Sequence, residues 1–390
     1  MKKTTMLLLW MGAAVSISEI FTGGLLAPLG FGKGFAAILT GHLIGVALLA
    51  FGGRVSFARG ENAMGAVALS FGVTGGKLVA LCNLAQLIGW TVVMIVQAGS
   101  AMTRVLPQLP FAPAILALSA LVLAWALLLG SPAVRLNNVA VVLLLLLCAA
   151  LLAEAVGRGA VASGAHSGDA MGMALAIELS VAMPVSWLPL IGDYTVSAED
   201  RVCATLVPFA GYFTGSTLMY LFGLFIARAT GGDIFTFVAA SRFRYLACGV
   251  VLLSTLTTAF LDLYSAAASA GRIAGPKGKR APILAMGLFA ALVSTIFPVE
   301  RYGAFLEQFL TSIGMVFIPV YTILFLDFLM NRPASESALR ADKLFIALAG
   351  MIAYRLFGRF AVGIPTVLCV ASVTAVYVPY SVAANGRALS

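Results

Sequence analysis

The sequence reads as an all-α integral membrane protein with 12 transmembrane helices, and three observations carry that reading. Of 390 residues, 61% are hydrophobic and 10% are charged, against about 25% charged in a soluble domain. So much apolar surface cannot be hidden in one water-soluble core, so the solvent must be lipid. The apolar residues come in runs of about 20, the length that crosses a bilayer as a helix. Basic residues gather in alternate connections between those runs, as cytoplasmic loops require.

The runs fall at 5–30, 34–51, 77–102, 112–129, 136–155, 171–194, 203–227, 245–270, 283–297, 302–330, 344–356 and 362–380. The ninth, eleventh and twelfth are short or weakly bounded. The opening "MKKTTMLLLWMG" has the basic start and apolar run of a signal peptide. The run continues to Gly30 without a small-residue cleavage site, which makes it a first membrane helix. With the amino terminus inside, about 15 Lys and Arg fall on the inner side and about nine on the outer. The turn "GRIAGPKGKR", with Lys277 and Lys279, gives the strongest vote. The expected placement is a bacterial-type inner membrane with both termini cytoplasmic. No connection is long enough for a soluble domain.

The net charge of +9 does not point to nucleic acid, because no basic cluster has interleaved aromatics. The five cysteines are scattered without CxxC spacing, and His42 and His166 stand alone without a metal pattern. The reading is therefore not an enzyme. A channel would show a ring of charges or a repeated pore motif, and an ATP-driven pump a GxxxxGK[ST] loop.

Two spans are built to break. The first reads "AAVSISEIFTGGLLAPLGFG", with Ser16, Ser18, Glu19 and Thr22 to Gly24 at mid-depth. The sixth reads "AIELSVAMPVSWLPLIGDY", with Pro184 and Pro189 at comparable depth. Irregular backbone inside a bilayer is tolerated only where it lines a cavity. Interrupted helices five spans apart point to an inverted-repeat transporter. The repeats would be 1–155 and 170–330, with two additional helices over 342–380. A single proline kink that shapes packing is the rival reading of either break alone.

Acidic residues inside a membrane are rare and usually functional. Glu19 sits at the first break and is the first candidate for a substrate or proton contact. Asp262 in the eighth span is the second. Glu178 before the second break is a candidate proton carrier, and Glu307 in the tenth span suits an interface. In the third span Gln86, Trp90 and Gln97 share one helical face by spacing. A Trp face with amide hydrogen bonds suits a flat heteroaromatic solute, and interhelical bonding by the amides is the equal alternative. Trp187, just after the sixth-span break, could form a second aromatic wall. Thr257 and Thr258 are adjacent hydroxyls of the kind that ligate a small cation.

The stretches "SEIFTGGLL", "LTGHLIGVALLAFGG", "ENAMGAVALSFGVTGGK", "QLIGWTVV", "IGDYT", "LTTAFLDLYSAA" and "FLDFLMNR", in this order and spacing, resemble the nucleobase–cation symporter-1 family of cytosine, hydantoin and allantoin permeases. The resemblance implies a LeuT-type five-plus-five inverted repeat plus two helices. It also implies uptake of a nucleobase-like ring coupled to Na+ or H+, with no cofactor. By that resemblance the ring stacks on Trp90 and the break around Ala182, Met183 and Pro184 supplies the opposite wall. A possible Na+ would lie by Thr257 and Thr258 with backbone near Ser16 and Glu19.

The chain departs from cytosine permeases at Ala259, Phe260 and Leu261, where they carry an Asn-Asp-Asn cluster, and at Glu19, where they carry a small residue. It is most like a bacterial branch for hydroxymethylpyrimidine, the pyrimidine half of thiamine, whose amidine-like edge a carboxylate of Glu19 or Asp262 could bind. The expected partners are this small pyrimidine and the lipid bilayer, with no nucleic acid and no obligatory protein partner. Another nucleobase, or an amine carried by the same fold, is the alternative substrate. The hydroxyl pair favours sodium, while the buried acids would equally serve proton coupling.

Overall fold

The computed structural model describes residues 1–128, 132–159, 171–275 and 280–388. His166, Lys277 and Lys279 lie outside the described residues. Within them the chain is helical: α1 (Lys3–Ala14), α2 (Ile17–Leu25), α3 (Phe31–Arg59), α4 (Ala63–Val105), α5 (Phe111–Leu128), α6 (Pro132–Gly157), α7 (Met173–Val185), α8 (Leu188–Thr195), α9 (Arg201–Thr230), α10 (Ile234–Ala240), α11 (Arg244–Ala274), α12 (Arg280–Thr295), α13 (Tyr302–Leu329), α14 (Ala341–Arg359) and α15 (Pro365–Ala388).

Among the described residues, eight helices are long and apolar enough to cross a membrane, and the bent α1–α2 pair makes nine. The other expected spans fall on α5 and α12, which are shorter apolar helices, and on α14, where Asp342, Lys343, Arg355 and Arg359 dilute the apolar run.

The connections sort onto two faces. On one, the amino terminus lies against the α8–α9 connection, with Lys3 paired to Asp200 at 2.8 Å. Lys3 holds the Asp200 carboxyl below its ordinary range. On this face too, Arg332 after α13 donates to the Ser381 carbonyl of α15 at 2.6 Å. α9, about 45 Å long at 1.5 Å per residue, leads to the opposite face. There Asp233 before α10 pairs with Arg104 of α4 at 2.6 Å, and Glu154 of α6 accepts from the Arg242 backbone at 3.0 Å.

The first span breaks at Val15 and Ser16, the amino end of the Ser16–Gly24 stretch expected to be interrupted, while Glu19 and Thr22 to Gly24 lie within α2. Ser16 is extended at φ −143° and ψ 159°, and its hydroxyl caps α2 by accepting from the Glu19 amide at 3.3 Å. The two segments are bent by 52°. The sixth span differs. Its helix continues through Pro184 and yields two residues later, at Ser186 and Trp187. Short-range bonds from the Ser186 amide to Ala182 and from the Trp187 amide to Pro184 carry the chain across. Pro189 sits in the first turn of α8, where its missing N–H leaves no helix bond unmade. The sixth span is therefore a kink rather than an open gap.

A third interruption was not foreseen. The stretch 63–71, between the second and third expected spans, is helical and runs into the third span through Gly72, whose φ of +79° only glycine adopts without strain. The 335–340 segment runs past this bend. Thr74 donates to the Ala338 carbonyl at 2.8 Å, and Ser335 and Arg340 donate to the Leu69 and Phe71 carbonyls at 2.8 and 3.0 Å.

Small residues bring α2 and α9 together: a Cβ on Gly23 or Gly223 would overlap the backbone of Tyr220 or Ile20. The last two helices are fastened by buried polar clamps. Glu178 of α7 accepts from Tyr354 of α14 and from the amide and hydroxyl of Thr366 of α15, at 2.6, 2.9 and 2.6 Å. Asp327 of α13 pairs with Lys343 of α14 at 2.5 Å and accepts from Tyr377 of α15. Glu178, a candidate proton carrier by sequence, is thus held in a fully paired structural contact.

Lys343→Met leaves the buried Asp327 without its counter-charge, at a cost of about 3–5 kcal/mol. Thermal unfolding in detergent should show a clear fall in Tm. Lys3→Met, which breaks a half-exposed pair, should leave Tm unchanged.

Candidate functional site

The two interrupted spans meet beside α4 and α11 around a narrow cavity of about 20 Å³, room for a single water in this closed-down conformation. Its walls are Ala13, Ser16, Ser18 and Glu19 from the first break and Met183, Ser186, Trp187 and Leu190 from the second. Leu87, Trp90 and Met94 of α4 and Thr258 and Asp262 of α11 complete it. Of the residues named from sequence, the fold brings Ser16, Glu19, Trp90, Met183, Trp187, Thr258 and Asp262 to one cavity. Gln86, Gln97, Ala182, Pro184 and Thr257 are buried but do not line it.

Two aromatic walls are present. Trp90 is 7% exposed and held by an edge contact with Phe309 at 5.3 Å between ring centres. Trp187 is held edge-on by Trp10 at 6.0 Å. The second wall is therefore Trp187 together with Met183, while Ala182 and Pro184 face away. Pro184 instead packs where a Cβ on Gly45 of α3 would fall.

The two glutamines of α4 hold the breaks. Gln97 accepts from the Ser18 hydroxyl at 2.6 Å, next to the first break. Gln86 donates to the Ser186 carbonyl at the second kink and to Asn83, each at 2.9 Å. Asn83 passes the connection to Ser269 of α11 at 3.0 Å. The two readings of the shared face divide between its residues: Trp90 faces the cavity, and the amides bond neighbouring helices. The threonine pair is split too. Thr258 lines the cavity, and the Thr257 hydroxyl donates to Leu253 and Ser254 of its own helix at 3.1 and 3.0 Å. The Ser16 hydroxyl caps α2. Glu307 stands apart, beside a separate groove lined by α7, α13 and α14.

The two acids of the cavity differ. Both Glu19 oxygens are taken by α9: Tyr212 donates to one at 2.8 Å and Ser216 to the other at 2.7 Å. Asp262 is 4% exposed, and its Oδ2 has no hydrogen-bond partner among the described residues. A buried carboxylate oxygen without a partner is costly. Asp262 is therefore the group in the cavity that a ligand would satisfy. Sequence reasoning placed Glu19 first, because no motif reveals that α9 brings Tyr212 and Ser216 against it. It also missed Ser18, Ser186 and Met94, which carry no signal beyond their nearness to the breaks.

A cavity at two helix interruptions inside an all-helical membrane bundle defines a secondary transporter site. A family profile described as permease for cytosine/purines, uracil, thiamine, allantoin matches residues 2–343, and the chain belongs to this family, the nucleobase–cation symporters; it is a transporter and not an enzyme. The cytosine permease of Escherichia coli (strain K12) is 27% identical over 163 residues, 42% of this chain and 38% of the relative. The chain thus matches less than half the length of that relative.

Among solved structures, Mhp1 in an inward-facing conformation superposes with a TM-score of 0.82 at 15% identity, over 97% of this chain and 90% of that one. Mhp1 in a closed conformation with bromovinylhydantoin bound gives 0.77 at 16% identity, over 97% and 91%. A Na+-coupled sialic acid symporter in its outward-open state gives 0.67 at 12% identity, over 96% and 88%. The fold is therefore the LeuT type expected from the sequence.

Gln86→Leu strips the Ser186 carbonyl of its side-chain donor at membrane depth, a loss of about 1–3 kcal/mol. Tm in detergent should fall accordingly. Ser312→Ala, at an exposed position of α13 and bonded only to its own helix, should leave it unchanged.

Proposed function

We propose that the chain imports a flat aminopyrimidine, hydroxymethylpyrimidine, across a bacterial-type inner membrane by cation-driven alternating access. The observation that carries this reading is the buried carboxylate of Asp262, whose Oδ2 has no partner among the described residues, in a cavity walled by Trp90 and Trp187. An aminopyrimidine presents a ring nitrogen and an exocyclic amine side by side. Protonated at the ring nitrogen, that edge gives a carboxylate two parallel charge-assisted bonds. The ring lies against Trp90, and Met183 and Trp187 close the other side. Glu19, with both oxygens bonded to α9, supports the cavity wall in this reading rather than gripping the ring.

The neighbours support a flat ring and a coupling ion: one is a cytosine permease, one holds a hydantoin, and one is Na+-coupled. For sodium, Ser16, Thr258 and the backbone at the first break would supply oxygens, with Thr257 behind them. Residues 1–155 and 170–330 would form the repeats that rock about the cavity. The helices over 342–380 are fastened to the second repeat by Glu178 and Asp327. The arrangement of connections on two faces supports both termini being cytoplasmic.

A cytosine or other nucleobase permease is the second reading, favoured by the cytosine permease likeness. The Ala259–Phe260–Leu261 sequence before Asp262 weighs against cytosine itself. An amine carried by the same fold is a third, and a carboxylate at Asp262 would suit it.

Uptake of labelled hydroxymethylpyrimidine into proteoliposomes is the test, under a sodium gradient and then a proton gradient. Saturable uptake displaced by unlabelled hydroxymethylpyrimidine but not by cytosine is expected. Displacement by cytosine would favour the second reading, and no uptake under either gradient would overturn the first. Asp262→Asn should weaken binding of the ring by about tenfold or more, the worth of a charged hydrogen bond of about 1.5–3 kcal/mol. Glu307→Gln should leave binding as it was.

A further inference from the structure

A second cavity, of about 630 Å³, opens at the end of the bundle opposite the amino terminus. Its walls come from the starts of α7 and α15, the first half of α13 and the last two turns of α14. Leu175 and Met315 make part of it apolar. Glu307, Gln308 and Thr311 of α13 and Arg355 and Arg359 of α14 make the rest polar. Both arginines are exposed and Glu307 is half-buried. Among the described residues none of the three is in an ion pair. The other acid on the cavity, Glu178, is already taken by Tyr354 and Thr366.

Two guanidiniums at the carboxyl end of a helix suit the helix dipole and a wet boundary, and by themselves ask for no ligand. A carboxylate on the same cavity that pairs with neither is a different matter. Opposite charges that share a cavity without meeting leave room for a molecule carrying both. The depth of the site says which molecule. α14 starts on the amino-terminal face at Ala341, and at 1.5 Å per residue Arg359 stands about 27 Å along it. That is close to the thickness of the hydrocarbon core, so the guanidiniums lie at the level of lipid headgroups. Below them Leu356, Ile352, Leu348 and Phe345 are all exposed. Their steps of three and four residues make one stripe on α14. The stripe runs about 17 Å from the cavity wall at Leu356 toward the other leaflet.

We propose that this cavity binds one phospholipid with a primary ammonium headgroup, a phosphatidylethanolamine. The phosphate oxygens accept from Arg355 and Arg359, and the ammonium donates to Glu307 and to the Gln308 side-chain oxygen. The acyl chains lie along the apolar stripe of α14. An anionic headgroup would satisfy the arginines and leave Glu307 facing a glycerol. A trimethylated headgroup has no N–H to give the carboxylate. The lipid bridges α13 and α14 beside the Glu178 clamp, so it adds to the fastening of the last two helices. The site is separate from the cavity at Asp262 and does not depend on what the chain carries.

The test uses the full chain, purified in detergent and stripped of lipid, with no ring substrate in any arm. Phosphatidylethanolamine, phosphatidylglycerol and phosphatidylcholine with identical chains are added in equal amounts, and bound lipid is counted by native mass spectrometry. One phosphatidylethanolamine should be retained over each of the others by about tenfold, the worth of one charge-assisted hydrogen bond. Arg355→Gln with Arg359→Gln should lower its retention by about tenfold or more. Glu307→Gln should keep a lipid bound and abolish the preference for the ammonium headgroup. Arg301→Gln, on the same face but outside the cavity, should leave retention within about twofold. Tm of the stripped wild type should rise on adding phosphatidylethanolamine, and that of the double arginine variant should not. Equal retention of the three lipids by the wild type would overturn the proposal, as would preference for phosphatidylglycerol. Retention unchanged in the double variant, or a preference that survives Glu307→Gln, would do the same. Displacement of the lipid by excess inorganic phosphate would make this a site for phosphate alone and overturn it too. The headgroup preference and its loss in Glu307→Gln are read whether or not the double variant folds.

Discussion

A helix that bends inside a bilayer leaves backbone groups that lipid cannot satisfy, and their partners decide the rest of this structure. Side chains of α4 reach both bends, and one of α13 reaches the second. α4 sends Gln97 to the Ser18 hydroxyl beside the first break and Gln86 to the Ser186 carbonyl at the second kink. Tyr321 of α13 adds a bond to the Leu188 carbonyl at 3.0 Å. The bend of α4 at Gly72 is paired in turn by the 335–340 segment. Because the same helix grips both breaks, it also fixes the cavity between them, and Trp90 follows from its place between the two amides.

The two breaks are not equivalent. The first is open, with an extended Ser16 and a capped α2. The second is a kink in which short-range bonds keep the chain helical. Pro184 lacks an amide hydrogen, so its bond is missing whatever the fold. The local geometry compensates by delaying the bend to Ser186. An open break at one end and a kink at the other make the first span the more natural place for charge, and Glu19 sits there.

Polar groups buried in this bundle fall into two kinds. Glu178 and Asp327 are fully paired across α7, α13, α14 and α15 and tie the last two helices down. Asp262 has an unpaired oxygen and lines a cavity. Glu19 lies between these kinds, paired by hydroxyls alone, and the His42 imidazole stands beyond the Ser216 hydroxyl at 3.0 Å.

By itself, the sequence determined the membrane setting, the helical class, an interruption of the first span near Ser16–Gly24, and Trp90 and Asp262 as residues of interest. These follow from composition, from runs of bilayer length, and from polar residues that have no cheap place in lipid. Tertiary structure decided which acid is satisfied and which is not. Nothing in the local sequence separates Glu19 from Asp262, since both are acids in apolar helices. The distinction lies in Tyr212 and Ser216, almost 200 residues away, brought alongside Glu19 by the glycine-mediated contact of α2 with α9. For the same reason His42, isolated in the chain, stands one hydroxyl from a buried carboxylate. Pairing of polar groups in a membrane is a property of helix neighbours, and those are set by packing across the whole bundle.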